Sequence, residues 1–260
     1  MSVTHAIRDS GGSAHVDLLI GSLPLRLSGE DSALFSAAAK RYKGFTGGEE
    51  GRLEVSVARG QVSQGRKSEF SYDFEGARVE ADAAGARFSG VRHEYALDSL
   101  LRMLLSWALL AENGFLLHAA TVVKDGKAYV FVGRSGAGKS TVASLSPRGS
   151  VFTDEISLLK REGAEWRAYG TPFWGEFRAD GVNTSAPLAG IFRLVQAREN
   201  RVTRLRPSEL LRAMLPSVLF FATEVGDHQR LLQILGMASE EVAGYTLEFR
   251  KSKSFWEVLP

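Results

Sequence analysis

The chain has 260 residues, 44% of them hydrophobic, a formal net charge of +2 and no cysteine. Such a length can bury a sizeable core in one domain or two, and the near-neutral charge argues against a nucleic-acid or membrane partner. The missing cysteines exclude disulfides, thiolate metal sites and a cysteine nucleophile, and they weakly favour a cytoplasmic protein.

In chain order, the first residues lack the basic flank and apolar core of a signal peptide. Residues 15–26 alternate apolar and polar side chains around Gly21 and Pro24, which predicts two short strands. Asp31 is placed to cap a helix over residues 33–42, with Gly47-Gly48 ending that segment. Residues 52–59, 69–74, 77–81 and 86–89 read as strands between glycine-containing turns. Residues 1–92 are therefore expected to form a small β-rich region without evident chemistry, and residues 93–260 the catalytic one. The longest apolar segment, 97–110, is shorter than a membrane span and carries Asp98 and Arg102, so it reads as a buried helix.

Residues 115–123 and 127–132 read as strands joined at Lys124-Asp125-Gly126-Lys127, whose Asp-Gly centre is a two-residue hairpin signal. Pairing Lys124 with Lys127 fixes a register that sets His118 opposite Gly133. There begins Gly133-Arg134-Ser135-Gly136-Ala137-Gly138-Lys139-Ser140-Thr141, which fits the phosphate-loop pattern G-x-x-x-x-G-K-[ST]. In that pattern the glycines let successive N–H groups converge on phosphate oxygens. Lys139 reaches the β- and γ-phosphates, and the Ser140 hydroxyl ligates Mg²⁺. Val142, Ala143 and Leu145 suit a short helix after the loop. An antiparallel hairpin feeding such a loop differs from the parallel βαβ units of ordinary nucleotide-binding folds.

Asp154 and Glu155 follow the apolar Val151-Phe152. Asp154 is the candidate to orient and deprotonate an acceptor hydroxyl, and Glu155 to bind the metal directly or through water; a solvated pair at a strand end is the plainer alternative. His118 could pair with Asp154 or sense the γ-phosphate, although a histidine in an apolar strand is also at home as a satisfied core residue. Arg193, Arg198, Arg201, Arg204 and Arg206 lie in a predicted strand, turn and strand over 191–207, where any one could clamp a phosphoryl group and most should simply be exposed. Helices are expected over 207–215 and 223–237, a closing strand over 243–249, and a packed aromatic end at Phe255-Trp256.

Leu117-His118-Ala119-Ala120-Thr121-Val122-Val123, the following turn, the glycine loop and Thr153-Asp154-Glu155 together resemble the catalytic domain of HPr kinase/phosphorylase. The match is more specific to HPr-kinase-related proteins, some of them associated with peptide-modification clusters, a group that Tyr169-Gly170-Thr171-Pro172-Phe173-Trp174-Gly175-Glu176 also suits. The resemblance implies an α/β fold of the HPr kinase and phosphoenolpyruvate carboxykinase type, a mixed sheet with flanking helices, and phosphoryl transfer to a serine hydroxyl. It also implies a metal or acceptor contact for Glu176. The family carries Asp-Asp where this chain has Asp154-Glu155, and its glycine-rich signature for the reverse reaction has no counterpart here.

The expected function is thus an ATP- and Mg²⁺-dependent kinase for a serine in a protein or peptide, with self-association left open. Two alternatives stand beside it. One is a small-molecule P-loop kinase; the other is a nucleotide-binding regulatory module that transfers nothing.

Overall fold

In the computed structural model, the residues described are 13–47, 53–60, 68–173, 175 and 181–260. The chain forms two units: Met1–Ala108 with Phe220–Asp227, and Leu109–Leu219 with His228–Pro260.

In the first unit the alternating segment folds as the hairpin β1 (Ala14–Ile20) and β2 (Leu23–Gly29). Asp31 caps α1 (Ser32–Arg41), its carboxylate accepting the Leu34 N–H at 3.1 Å. Strands β3 (Leu53–Val57), β4 (Phe70–Phe74), β5 (Ala77–Asp82) and β6 (Gly85–Ser89) complete a mixed sheet in the order β1-β2-β3-β6-β5-β4. The long apolar segment is α2 (Glu94–Ala108), starting three residues before the expected helix and burying Leu97, Leu100, Leu101, Leu104 and Leu105. Its Asp98 is only 4% exposed. That burial is tolerable because Arg41 and Arg102 approach the carboxylate at 3.0 and 2.8 Å and the Tyr42 hydroxyl donates to it at 3.2 Å. Burial beside Asp98 in turn pushes the Tyr42 hydroxyl well above its ordinary pKa.

The second unit is built on β7 (Gly114–Lys124) and β8 (Lys127–Val132), joined by the expected turn with Asp125 and Gly126 both at positive φ. There follow α3 (Lys139–Leu145), β9 (Val151–Thr153), β10 (Ile156–Glu162), β11 (Glu165–Tyr169) and β12 (Ser185–Gln196). The chain continues through β13 (Arg201–Arg204), α4 (Pro207–Met214), β14 (Val218–Leu219), α5 (Val225–Glu241) and β15 (Gly244–Phe249). Most strands form a second mixed sheet in the order β11-β10-β7-β8-β12-β15-β13. Because β11 also pairs with β12, the strands β11, β10, β7, β8 and β12 close a ring. Within the sheet β8, β12 and β15 run parallel, so their carboxyl ends emerge on one side. Under those ends lies an aromatic core of Phe131, Phe192, Phe249 and Phe255, with Val142 and Ala143 of α3 packed into it. The terminal aromatic pair is a packed end as expected: Phe255 is fully buried and Trp256 meets Phe131 edge-on.

The α/β class and mixed sheets follow the sequence expectation. Strands β10 and β11, which the sequence reading does not assign, pair as a local antiparallel hairpin with Glu162 facing Glu165 across a turn that holds Gly163 at positive φ, and they dock on β7 and β12. Among the described residues no helix is long and apolar enough to cross a membrane.

Candidate functional site

The hairpin register is the one the turn dictates. Lys124 pairs with Lys127 and the ladder runs to Ala119 opposite Val132, so His118 and Gly133 occupy the next position, where β8 leaves the sheet. On the other side of β7, β9 and β10 both pair antiparallel, Thr121 facing Thr153 and Ile156 facing His118, with the register of β9 shifting between Thr121 and Val122. Asp154 and Glu155 are the two residues between those strands. The strand beside β7 is therefore interrupted by the acidic pair at the level where the opposite strand opens into the glycine loop.

Local hydrogen bonds hold the interruption. Thr153 Oγ1 accepts the N–H groups of Glu155 and Ile156, each at 3.2 Å, and the Ala119 N–H donates to the Glu155 carbonyl at 3.1 Å. Behind it, the Thr121 and Ser157 hydroxyls lie 2.6 Å apart, and the Thr171 hydroxyl donates to the Ile156 carbonyl at 2.6 Å. These buried polar contacts give the turn little freedom, since each broken one would strand a donor or acceptor away from water.

The loop is held equally closely. Gly138 has φ +114°, and a Cβ there would lie 2.5 Å from Cζ of Phe249, so the position requires glycine on both counts. The Ala137 N–H donates to the Arg134 carbonyl at 3.0 Å, and Gln196 Nε2 at the end of β12 donates to the Gly136 carbonyl at 2.7 Å. Lys139 is 7% exposed, and its Nζ donates to the Gly133 carbonyl at 3.0 Å. Burial pushes this ammonium below its ordinary pKa, and the charge of Glu155 pulls it partly back. Ser135 and Gly136 are exposed, whereas Ala137, Ser140 and Thr141 are half-buried.

Glu155 also faces the histidine: His118 Nδ1 lies 3.5 Å from Glu155 Oε1, with both side chains partly exposed. The carboxylate that meets His118 is thus that of Glu155, where the sequence suggested Asp154. The reason is the interruption itself, whose side-chain directions no spacing argument fixes. Asp154 is 3% exposed and accepts the Gly175 N–H at 3.1 Å. Glu176, the remaining candidate, lies outside the described residues.

The candidate arginines divide. Arg201 and Arg206 are held by Glu248 and Glu209, Arg204 stacks on the Tyr245 ring, and Arg193 donates to Thr246 Oγ1. Arg198 is exposed at the end of β12. Sequence reasoning missed Gln196, which carries no motif signal and matters only through Gly136, a partner 60 residues away. Thr153 stands in the quoted motif, but its local role of accepting the next two amides after Asp154 was not read from it.

Among the described residues no group of three or more histidines and acids is gathered for a metal ion. Mg²⁺, however, binds through one or two carboxylates or hydroxyls together with substrate phosphates. The hydroxyl of Ser140 and the carboxylate of Glu155 are hard oxygen donors of the right type, and Lys139 is a buried cation suited to phosphate.

A family model described as SynChlorMet cassette protein ScmC matches residues 97–259. Among solved structures, the Hpr(Ser) kinase/phosphatase from Coxiella burnetii is similar at 15% sequence identity. That match covers 48% of this chain and 89% of the other, with a TM-score of 0.28. No curated protein matches the sequence.

Proposed function

The chain belongs to the SynChlorMet cassette protein ScmC family, and from that premise we propose that it is a cassette-associated kinase that transfers the γ-phosphoryl group of ATP to a serine hydroxyl in a protein or peptide. The observation carrying the reading is that the Glu155 carboxylate lies 3.5 Å from His118 Nδ1 at the level where β8 opens into the glycine loop, and its charge favours the ammonium form of the loop lysine. It thus links the glycine loop to the acidic interruption across β7. The sequence pattern of the loop supports the triphosphate, and the partly desolvated Lys139 supports an anionic ligand, because a phosphate would compensate the buried charge.

In this reading loop amides and Lys139 hold the β- and γ-phosphates, and Ser140 and Glu155 would hold Mg²⁺. The metal, when bound, neutralises charge on the phosphates and helps align them. His118 keeps the Glu155 carboxylate in place. Asp154, fixed by the Gly175 amide, accepts the proton of the serine hydroxyl as its oxygen bonds to the γ-phosphorus and the bond to the β-phosphate oxygen breaks, releasing ADP.

The test is nucleotide binding by calorimetry together with transfer from γ-labelled ATP to serine peptides. Binding and transfer that both fail in Lys139→Ala support the reading; a wild-type protein that binds ATP and labels no hydroxyl under any condition is instead a nucleotide-responsive module.

A further inference from the structure

The arginines of the second unit are mostly occupied. Arg161, Arg167, Arg201 and Arg206 each hold a carboxylate, and Arg230 holds the Asn113 side chain. Arg212 on α4 apart, the arginines there whose side chains are described and that have no ion-pair or side-chain partner are Arg134, Arg198 and Arg250, and all three are exposed.

Their positions share one feature. Strands β8, β12 and β15 are adjacent and parallel, ending at Val132, Gln196 and Phe249. Arg134, Arg198 and Arg250 lie one or two residues beyond these three ends, and exposed Lys251 and Lys253 follow the last. The three ends are tied together: Gln196 Nε2 holds the Gly136 carbonyl, the Ala197 N–H donates to the Phe249 carbonyl at 2.9 Å, and the Arg250 N–H donates to Asn200 Oδ1 at 3.0 Å. Across residues 133–136, 196–200 and 250–254 the one carboxylate is Glu199. The carboxyl edge of parallel strands is where such sheets place ligands, and here it bears an uncompensated row of cations beside the glycine loop.

A compact triphosphate does not account for the row. Lys139 and the loop already face that ligand, and two strand spacings, about 10 Å, separate the first and third strand ends. An extended chain bearing several carboxylates fits that spread better. Resting on the kinase reading above, we propose that this rim docks the acceptor, and that the acceptor is an acidic peptide segment with its serine flanked by aspartate or glutamate.

The experiment uses the full chain and two labelled short serine peptides, one flanked by Asp and Glu and the other by Asn and Gln, with binding read by fluorescence anisotropy. The acidic peptide should bind at least about tenfold more tightly, and the preference should shrink as salt is raised. Arg198→Ala/Arg250→Ala should erase the preference while ATP affinity, read by calorimetry, stays within about twofold. Equal binding of the two peptides would overturn the proposal. So would a parallel loss of ATP affinity in the double variant, which would make the rim part of the triphosphate site, or equally tight binding of an oligonucleotide of matched charge. Tight, salt-sensitive binding of an acidic peptide that is never phosphorylated would leave the rim's preference standing and remove the kinase reading.

Discussion

His118 Nδ1 and Glu155 Oε1 are 3.5 Å apart across two strands that pair in a single register, and the same carboxylate bears electrostatically on Lys139. Glu155 therefore couples the histidine of one strand to the lysine of the loop. Glu155→Gln should keep the fold and lower transfer by about a hundredfold or more, the scale of losing a group that holds charge at a reacting phosphate. Single-turnover kinetics at saturating ATP would check this, and an unchanged rate would remove Glu155 from the site.

The lowered pKa of Lys139 gives a pH dependence of definite sign. Below the ordinary value of 10.5 the unfolded chain keeps this proton when the folded one has begun to lose it. This group's contribution to the stability of the nucleotide-free protein therefore rises with pH through that window. Nucleotide affinity should fall over the same window as the ammonium is lost. In Glu155→Gln the counter-charge is gone, so the alkaline fall should begin at lower pH. Calorimetric titrations across the alkaline range would check both directions.

Much of this was legible in the sequence, because local chemistry fixes it. The Asp125-Gly126 turn sets the β7–β8 register and so brings His118 to the level of Gly133, and Asp31 caps α1 as its position suggests. What could not be read depends on distant partners. The pairing of β9 and β10 along β7, the closure of β11 on β12, and the grip of Gln196 on Gly136 join segments far apart in the chain. That Glu155 meets His118 follows from how the strand is interrupted, which no periodicity encodes.

Gly175 lies against the acidic pair: a Cβ added there would sit 2.6 Å from Asp154 Oδ2 and 3.1 Å from Glu155 Cβ. Gly175→Ala should displace the Asp154 carboxylate and cut transfer by roughly tenfold or more while nucleotide affinity changes little, since misplacing a reacting group by an ångström is that costly. Parallel measurement of kcat and ATP affinity separates the two effects; equal loss of both would place Gly175 in the nucleotide site instead.

Gly138→Ala carries two penalties, a positive φ and the contact with Phe249. The strain is on the order of 1–3 kcal/mol. It should appear as weakened ATP binding with a smaller change in thermal stability, because the loop can deform without the sheet. A variant with wild-type affinity would show that this loop does not hold the nucleotide.

Asp98 tests the first unit alone. Removing its charge leaves the half-buried Arg41 and Arg102 without their carboxylate, so Asp98→Ala should destabilise that unit by about 3–5 kcal/mol in denaturant unfolding. A loss under about 1 kcal/mol would mean that the network is solvated in solution.

The most direct measurement sets Asp154→Asn beside the wild-type chain, reading ATP·Mg²⁺ affinity by calorimetry and labelling of serine peptides from γ-labelled ATP. The account predicts affinities within about threefold of each other and phosphoserine formed by the wild type alone. Phosphoserine formed by Asp154→Asn at the wild-type rate, or no ATP binding by the wild type, would contradict it.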